Sequence, residues 1–561
     1  MKNAFYSIFT LMAIAMGTPA ISQPKLEHHN TWARIIANDK PMLMIGGELG
    51  NSSASTLEDV QRIFPHLKAL GLNTVLAPIT WELIEPQEGK YDFTSLDNII
   101  TEARKNDLKV VLLWFGAWKN SMSCYAPEWF KRDTKRFPRV HDRNGIPLEE
   151  ASSLSANVLN ADKGVFCEIM KHIRDVDAQQ HTVVMIQVEN EIGMIKEPRD
   201  YSKDATKMYN SQVPKRLTDY LISNRKTLNN SRLQIKSDKG NWAELFGNDM
   251  YAEEIFQAWT YAIYVEEVAK AGKEIYDLPM YVNVALNSRN RKPGEYPSAG
   301  PLAHLIDIWH CGAPSINVLG LDLYDKGYRD WTDKYHLAKN PLFIPEIRLE
   351  DQDAMRALYA FGHHDAMGFC PFSIEDYPLK KASATSDWKQ MDMSQDDQLN
   401  AFSGGSSNNL SPLAASYGLL RQVEPLILKH QGTDNMDAVI LDNDMREADI
   451  KTPDGITLHI KHSYSLGWEP GAQSSVWPEV ACIIIRQGKE DYLAIGSGVV
   501  ITYSKNDGKQ VGLAKCEQVE YSPEGNMRIL RHLSGDQTHQ GRHIRIPVDE
   551  YQIQHFRLYE F

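Results

Sequence analysis

The chain has 561 residues, of which 42% are hydrophobic and 24% are charged, a composition typical of a globular protein with two or three domains. Its formal net charge of -13 argues against nucleic acid as a partner, because binding to phosphates needs a basic surface. A neutral ligand fits this acidic chain better.

Residues 1–23 have the layout of a secretory signal peptide, with Lys2, an apolar core and small residues around Ala20. We therefore exclude them from the fold and expect a secreted protein, located in the periplasm if the source is a Gram-negative bacterium. No later segment reaches about 20 apolar residues and no cysteine follows the signal, so we expect neither a membrane span nor a lipid anchor.

Eight short apolar segments recur between residues 41 and 376, and amphipathic segments separate them. In the first of these amphipathic segments, Val60, Phe64 and Leu67 follow helical spacing behind a Thr56 cap. Strand and helix alternating in this way predict a (β/α)8 barrel, the TIM barrel, over residues 24–430. The predicted strands are residues 41–48, 73–79, 109–116, 182–191, 279–286, 316–324, 342–347 and 366–376.

Two long segments, residues 191–279 and 377–409, follow the fourth and eighth predicted strands. In such barrels the loops that follow the strands surround the active site. We therefore expect both segments to form walls of a substrate cleft, with solvated decoration as the alternative.

From about residue 435 the chain reads as short strands separated by Gly, Asn, Asp and Pro turns, after a helical segment over residues 410–430. This pattern predicts an antiparallel β-sandwich over residues 431–561. A sheet that binds polysaccharide would present several aromatic residues on one face. The sequence does not place Tyr492, Tyr503 and Tyr521 on a common face, so a domain that braces the barrel is favoured over one that binds polysaccharide.

The six cysteines are widely scattered, and several lie in apolar segments such as GFCPF and ACIII. Neither a CxxC pair nor Cys/His metal spacing is present, so we expect buried free thiols and no bound metal. No cofactor is expected either. The oligomeric state stays open.

Glutamates lie at the ends of the fourth and seventh predicted strands, Glu191 and Glu346 respectively. A carboxylate at the rim of a buried strand is unfavourable unless it is paired, hydrogen-bonded or functional. Two of them facing one cavity make a glycosidase pair, in which one protonates the leaving oxygen and the other attacks the anomeric carbon. Glu48, which ends the first strand, is a third rim carboxylate, expected to bind sugar hydroxyls or to form a salt bridge.

The segment VVMIQVENEIG, residues 183–193, carries a second glutamate, Glu189. Alternation along a strand would point Glu189 and Glu191 to the same face, so a bulge or strand end is needed to give Asn190 and Glu191 separate access to the cleft. We interpret Glu191 as catalytic and Glu189 as structural.

Several motifs together resemble the retaining glycoside hydrolases of clan A. QVENE and PE at the fourth and seventh strand ends resemble their acid/base and nucleophile signatures, and TWELIEPQEGKYDF resembles a segment of the β-galactosidases of families 35 and 42. WFGAWKNSMSCYAPEW and GEYPSAGPLAHLIDIW are similar to the bacterial branch of family 35 that carries a C-terminal domain of unassigned function. The resemblance covers most of residues 40–430.

The resemblance implies Glu191 as acid/base, Glu346 as nucleophile, Asn190 as donor to the sugar 2-hydroxyl and Tyr324 as the holder of the nucleophile. The animal and fungal type of family 35 carries Cys-Ala-Glu-Trp after strand three, whose glutamate binds galactose. Here Lys119 and Asn120 stand in its place and are expected to contact the sugar instead.

Four tryptophans offer flat aromatic faces on which the sugar could stack, and we predict that Trp118 is the one that does so. Glu375 and Asp376 follow the eighth strand and are interpreted as structural rather than sugar-binding. The other tryptophans are Trp81, Trp129 and Trp259.

These features predict a retaining, exo-acting hydrolase that releases terminal β-galactosyl residues from plant-type oligosaccharides or polysaccharide side chains. The alternatives are a clan A hydrolase of another β-linked sugar (β-glucoside, α-L-arabinopyranoside or β-mannoside) and a non-catalytic carbohydrate-binding protein. A metal-dependent hydrolase is disfavoured, because no His-x-His or carboxylated-lysine pattern ends strand one or four.

Overall fold

The computed structural model describes residues 22–287, 289–380, 410–469, 471–505 and 507–561. The predicted signal peptide and most of the predicted cleft wall at residues 377–409 lie outside these ranges. Among the described residues, no helix is both long enough and apolar enough to cross a membrane.

A small antiparallel sheet of three strands, β1 (Lys25–His28), β2 (Ala33–Ala37) and β3 (Lys40–Met42), precedes the barrel. Ile35 and Ala37 are buried in the same apolar cluster as Met44, Val111 and other barrel residues. The sheet therefore packs against the barrel and contributes to its core.

Eight parallel strands close into a barrel, so the predicted (β/α)8 fold is confirmed. Each strand overlaps one predicted segment, and every residue of the fourth to seventh strands except Ala285 is buried. In chain order the strands are β4 (Met44–Glu48), β5 (Thr74–Thr80), β6 (Lys109–Lys119), β9 (Val183–Asn190), β10 (Met280–Ala285), β11 (Val318–Leu323), β12 (Phe343–Ile347) and β13 (Gly368–Pro371); a hairpin of β7 (Arg139–His141) and β8 (Pro147–Ala151) follows β6.

Amphipathic helices surround the barrel and bury their apolar stripes against it. The Thr56 side chain accepts from the Asp59 N–H and caps the first helix, as predicted. The helices are α1 (Leu57–Ala69), α2 (Trp81–Ile84), α3 (Thr94–Lys105), α4 (Glu128–Arg132), α5 (Ala156–Asp177), α6 (Lys203–Tyr209), α7 (Lys215–Ser223), α8 (Trp242–Phe246), α9 (Met250–Ile275), α10 (Ile306–Gly312), α11 (Tyr328–Tyr335), α12 (Asp353–His363) and α13 (Pro412–His430).

The C-terminal part forms two antiparallel sheets, one of six strands and one of four. Side chains from both sheets, among them Ile484 and Ile501, share one buried cluster, which is the core of the predicted sandwich. The larger sheet is ordered β14 (Met436–Leu441), β17 (Val480–Gly488), β18 (Asp491–Ser497), β23 (Gln552–Glu560), β20 (Val511–Tyr521), β21 (Met527–His532), and the smaller one β15 (Glu447–Lys451), β16 (Ile456–His462), β19 (Val499–Lys505), β22 (Ile544–Ile546).

The other face of the six-stranded sheet packs on α12 and α13. A Cβ added to Gly362 of α12 would lie 2.7 Å from Ala438 Cβ and 2.8 Å from Ile483 Cγ1, so the helix approaches the sheet as closely as glycine allows. The Arg356 guanidinium also pairs with Glu479 at 3.0 Å across this interface. The sandwich thus contacts the barrel extensively, in line with a bracing role.

All six cysteines are free, and four of them are buried: Cys311, Cys370, Cys482 and Cys516. The expectation of free thiols therefore holds, although Cys124 is exposed and Cys167 is half-buried.

Candidate active site

Polar side chains meet at the carboxyl ends of the barrel strands. Glu48, Lys119 and Asn190 are the last residues of β4, β6 and β9, and Glu346 is the last but one of β12. All four are buried, with at most 5% of their surface exposed. Since the carboxyl ends of parallel strands face one end of a barrel, these side chains converge there.

Glu191 and Glu346 lie close together. One carboxylate oxygen of Glu191, one of Glu346 and one of Asp322 are all within 4.8 Å of one another. Retaining glycosidases hold their two carboxyl groups about 5–5.5 Å apart and inverting ones about 6.5–9.5 Å apart. The upper limit of 4.8 Å between the carboxylate oxygens is nearer to the spacing of the retaining class than to that of the inverting class.

The backbone around Glu191 departs from regular strand geometry. Glu189 and Glu191 have left-handed φ angles of 61° and 44°, and the register of β6 against β9 shifts before Lys119 pairs with Asn190. An irregularity of this kind is needed if Glu189 and Glu191, two residues apart on one strand, are to point their side chains in different directions. The Glu191 N–H donates to Asn283 Oδ1 at 2.9 Å, which anchors the turn.

Glu189 points away from the other two glutamates into a buried pair with Asp162. Its Oε2 accepts from the Trp118 N–H at 2.7 Å, and Asp162 accepts from Trp114 Nε1 at 2.9 Å and from the Tyr264 hydroxyl at 2.7 Å. Burial, followed by the charge of Asp162, raises the pKa of Glu189 well above its usual value. Glu189 therefore has the structural surroundings expected for it.

Two side chains hold the glutamate pair in place. The Tyr324 hydroxyl donates to Glu346 Oε1, and Asn120 Nδ2 donates to Glu191 Oε2. Tyr324 is 40% exposed, so it forms part of the rim of the site. Asn120 sits at a φ of 49° in the turn that follows β6.

Lys119 brings a positive charge into this group of acids. Its Nζ donates to Asn190 Oδ1 at 2.9 Å and lies 4.8 Å from the centre of the Phe115 ring. The Asn190 Nδ2 is buried and has no hydrogen-bond partner among the described residues. Because Lys119 fixes the amide oxygen, the amide N–H groups remain available as donors to a ligand.

Burial and mutual repulsion raise the pKa values of the acids. For Glu346, burial and then the charge of Glu191 raise the pKa to about 7, while Lys119 and Tyr324 oppose the shift. Burial also raises the pKa of Glu191, against Lys119 and Asn120. An acid/base residue needs such a raised pKa, whereas we expect a normal value for a nucleophile, so the raised pKa of Glu346 departs from that expectation.

Glu48 lies beside Glu346 and is the more strongly perturbed of the two. Burial first, and then the charge of Glu346, raise the pKa of Glu48 well above its usual value. A hydrogen bond between the two carboxyl groups raises the pKa of Glu48 and lowers that of Glu346. Burial and the charge of Glu346 therefore both favour the neutral form of Glu48.

Asp322 and Asn283 belong to the site although they were not predicted. Asn283 Nδ2 donates to Asp322 Oδ2 at 2.6 Å, and Asp322 pairs with Glu346 in the strand register. Burial, followed by the charge of Glu346, raises the pKa of Asp322 well above its usual value. The sequence contained one signal for Asp322, an acid inside the apolar segment INVLGLDLY.

The predicted role of Trp118 as a sugar platform is wrong for this structure. Its ring is fully buried and packs edge-on against Tyr264 and Tyr261 of α9, at 4.7 and 5.7 Å between ring centres. The side chain therefore offers no open face to a ligand. Trp81 and Trp259 are also buried.

Glu375 has the structural surroundings expected for it. Its Oε1 accepts from the Gly50 N–H at 3.0 Å and from the Ser53 hydroxyl, which ties the end of β13 to the loop after β4. Asp376 is exposed.

Sequence comparisons agree with the character of this site. Residues 52–242 match a family model described as beta-galactosidase, of glycoside hydrolase family 42, and residues 413–545 match a domain of unknown function, DUF5597. A curated beta-galactosidase from Xanthomonas manihotis is 24% identical over 209 residues, which is 36% of this chain and 32% of that protein. The chain therefore matches only about a third of the relative's length. The resemblance to family 35 stays a prediction.

Three solved structures of beta-galactosidases share low similarity with the chain. The enzyme from Bacillus circulans sp. alkalophilus has a TM-score of 0.42 at 16% identity, covering 69% of this chain and 57% of that chain. The enzyme from Marinomonas ef1 has a TM-score of 0.42 at 12% identity, covering 70% and 61%. The enzyme from Halorubrum lacusprofundi has a TM-score of 0.41 at 15% identity, covering 59% and 52%.

Proposed function

We propose that this protein is a retaining glycoside hydrolase that releases terminal β-galactosyl residues. The observation that carries the proposal is the approach of Glu191 and Glu346, with carboxylate oxygens within 4.8 Å, at the end of the barrel where such enzymes act. A protein that only binds sugar has no use for two buried acids at this distance.

In the first step, Glu346 attacks the anomeric carbon while Glu191 gives its proton to the leaving oxygen. The bond between the sugar and the leaving group breaks, and a covalent bond between the sugar and Glu346 forms. This step needs a protonated Glu191, and burial favours that form because it raises the pKa of Glu191. The Tyr324 hydroxyl donates to Glu346, which limits the rotation of its carboxylate.

In the second step, Glu191, now ionised, takes a proton from water, and the water oxygen attacks the anomeric carbon. Glu346 leaves as a carboxylate, and the sugar is released with its original configuration. The free Asn190 N–H groups would donate to the sugar 2-hydroxyl, where hydrogen bonds strengthen in the transition state.

The proposed sugar is β-galactose, supported by the family model over residues 52–242 and by the curated relative. The alternative is another β-linked sugar, such as β-glucose, β-mannose or α-L-arabinopyranose. It is favoured by one observation: Lys119 and Asn120 bind Asn190 and Glu191 where the animal and fungal type carries a galactose-binding glutamate.

The natural substrates we propose are plant-type oligosaccharides or polysaccharide side chains, cleaved at their non-reducing ends. The proposed location is outside the cytoplasm, in the periplasm of a Gram-negative source, which rests on the signal-like residues 1–23. Neither nucleic acid nor a membrane anchor is part of this proposal.

The test uses p-nitrophenyl β-galactoside beside the β-glucoside, β-mannoside and α-L-arabinopyranoside, with NMR to identify the first anomer released. We expect the highest kcat/KM for the β-galactoside and a β-anomer as first product. A higher kcat/KM for another glycoside would show that its sugar, and not galactose, is the preferred substrate. A first product of the α-anomer would contradict the retaining mechanism.

A further inference from the structure

Three side chains of types that can bind a metal ion lie together on the barrel, outside the proposed active site. Asp333 is near the end of α11, His363 ends α12 and His364 follows it. One ligand atom from each lies within 4.8 Å of the other two. We call Asp333, His363 and His364 the junction cluster, because α12 packs here on the first strands of the sandwich.

The junction cluster is remote from the glutamate pair. A helix in this fold runs back from the carboxyl end of one strand to the start of the next, so its last residues lie near the amino ends of the strands. The glutamate pair lies at the carboxyl ends. Any ligand at the junction cluster is therefore separate from the proposed reaction.

His364 is a buried side chain with an unused nitrogen. Its side chain is 2% exposed, and its Nε2 has no hydrogen-bond partner among the described residues. Its Nδ1 contacts His336 Nδ1 at 3.0 Å. When His364 Nδ1 donates in this contact, Nε2 carries a lone pair, and a buried polar atom without a partner destabilises the fold.

The lone pair of His364 has an acid in front of it. His364 Nε2 lies 3.7 Å from Asp333 Oδ1, which is too long for a hydrogen bond. Two ligands at about 2.0–2.2 Å from one tetrahedral zinc ion are about 3.3–3.6 Å apart. A movement of a few tenths of an ångström by Asp333, whose side chain is 65% exposed, brings the pair to that distance.

His363 is held as metal-binding histidines are held. Its Nδ1 lies 2.7 Å from Asp437 Oδ1 in β14, so Nδ1 carries the proton and the lone pair is on Nε2. Histidines that bind metals usually donate their other N–H to a carboxylate or to another acceptor in this way. Here His363 has Asp437 and His364 has His336.

We propose that the junction cluster binds one divalent transition-metal ion, with zinc as the best match, through Nε2 of His363, Nε2 of His364 and a carboxylate oxygen of Asp333. Two imidazoles and one carboxylate are a common zinc ligand set, and water completes the tetrahedron. Bound metal joins α11 to α12 and, through Asp437, to the sandwich. Sequence motifs for metal sites depend on cysteines and histidines at short, fixed spacings. The proposed ligands come from two different helices, so no such motif in the sequence points to this site.

The experiment titrates the chelator-treated full-length protein with zinc chloride and follows the heat of binding and the thermal unfolding midpoint. We expect one tight site per chain and a higher midpoint with zinc. His363→Gln and Asp333→Asn, both at exposed positions, should weaken binding at least about 10-fold. Visible absorption of bound Co²⁺ should show a tetrahedral spectrum that His363→Gln loses.

Two control variants separate this site from others. His459→Gln removes a histidine whose two nitrogens already contact Asp449 and Ser504, each at 2.7 Å, and it should bind zinc as the wild type does. Glu346→Gln removes one acid of the other close cluster and should also leave binding unchanged. The proposal is overturned if the wild type does not bind zinc, if His363→Gln and Asp333→Asn bind as tightly as the wild type, or if Glu346→Gln abolishes binding.

Discussion

Glu191 is the residue whose proposed role makes the most specific kinetic prediction. Glu191→Gln keeps the shape and the contact with Asn120 but removes the proton that the leaving group needs. We expect kcat/KM to fall by about 10²–10⁴ for alkyl galactosides and much less for aryl galactosides with acidic leaving groups. The measurement is a series of leaving groups of graded acidity, and equal losses along the series would exclude Glu191 as the acid.

The charge of Lys119 extends to lower pH the range in which Glu346 is ionised. Burial and the charge of Glu191 raise the pKa of Glu346 to about 7, and the ammonium of Lys119 opposes this shift. A protonated Glu346 cannot attack, so kcat/KM should fall as the pH drops through about 7. Lys119→Met removes the opposing charge and should move this acidic limb to higher pH.

The pH profile of kcat/KM, measured from about pH 4 to pH 9, checks the role of Lys119. Lys215→Met is the matched control, since Lys215 is an exposed lysine whose one salt bridge within the described part of the chain is with Asp219 on α7. Its profile should match that of the wild type. An unchanged acidic limb in Lys119→Met would mean that another group determines it.

Most of the side chains that meet at the carboxyl ends of the barrel strands were predicted, because rim acids stand out in apolar segments. Asn283 and Asp322 were not predicted, because one polar residue inside a strand does not show whether its side chain faces the core or a cleft. The prediction that Trp118 stacks on the sugar was wrong because the tyrosines of α9 bury its ring. They lie about 140 residues further along the chain, so the local sequence does not reveal this contact.

At the scale of single elements, the contact between α12 and the six-stranded sheet depends on Gly362. Gly362→Ala adds a methyl group 2.7 Å from Ala438 Cβ and forces the helix away from the sheet. We expect a loss of about 1–3 kcal/mol in stability. The matched control is Gly418→Ala in α13, whose Cβ meets nothing within 4 Å and should raise stability by up to about 1 kcal/mol.

Thermal and urea unfolding of the two glycine variants provide the measurement. A Gly362→Ala variant as stable as Gly418→Ala would show that the helix and the sheet separate without loss, which would contradict the bracing role of the sandwich.

The barrel strands were predictable because each is a short apolar run bounded by polar residues. The three strands at residues 25–42 and the hairpin of β7 and β8 were not. These strands have three to five residues and mixed polarity, so local sequence does not distinguish them from loops. Their pairing depends on neighbours that only the folded barrel supplies.

At the scale of the whole molecule, the buried acids should make stability depend on pH. A folded-state pKa raised above the unfolded value means that stability is fully present at low pH and is lost as the pH rises through the folded pKa. For Glu346 this window runs from about 4.5 to about 7. Glu346→Gln should therefore be more stable than the wild type at pH 8, by about 1–3 kcal/mol, and not at pH 4.5.

Thermal unfolding at the two pH values checks the stability prediction. Glu82→Gln, at an exposed position, serves as the control and should follow the wild type at both values. If Glu346→Gln were no more stable than the wild type at pH 8, the ionised Glu346 carboxylate would not destabilise the folded state, which would contradict its raised pKa.

The central claim is that Glu346 forms a covalent bond with the sugar, and trapping that bond tests it most directly. The full-length protein is incubated with a 2-deoxy-2-fluoro-β-galactosyl fluoride, which slows the second step, and is digested and sequenced by mass spectrometry. We predict one added fluorogalactosyl group on Glu346 and none in Glu346→Gln. A label on another residue, or turnover of β-galactosides by Glu346→Gln at the wild-type rate, would contradict the account.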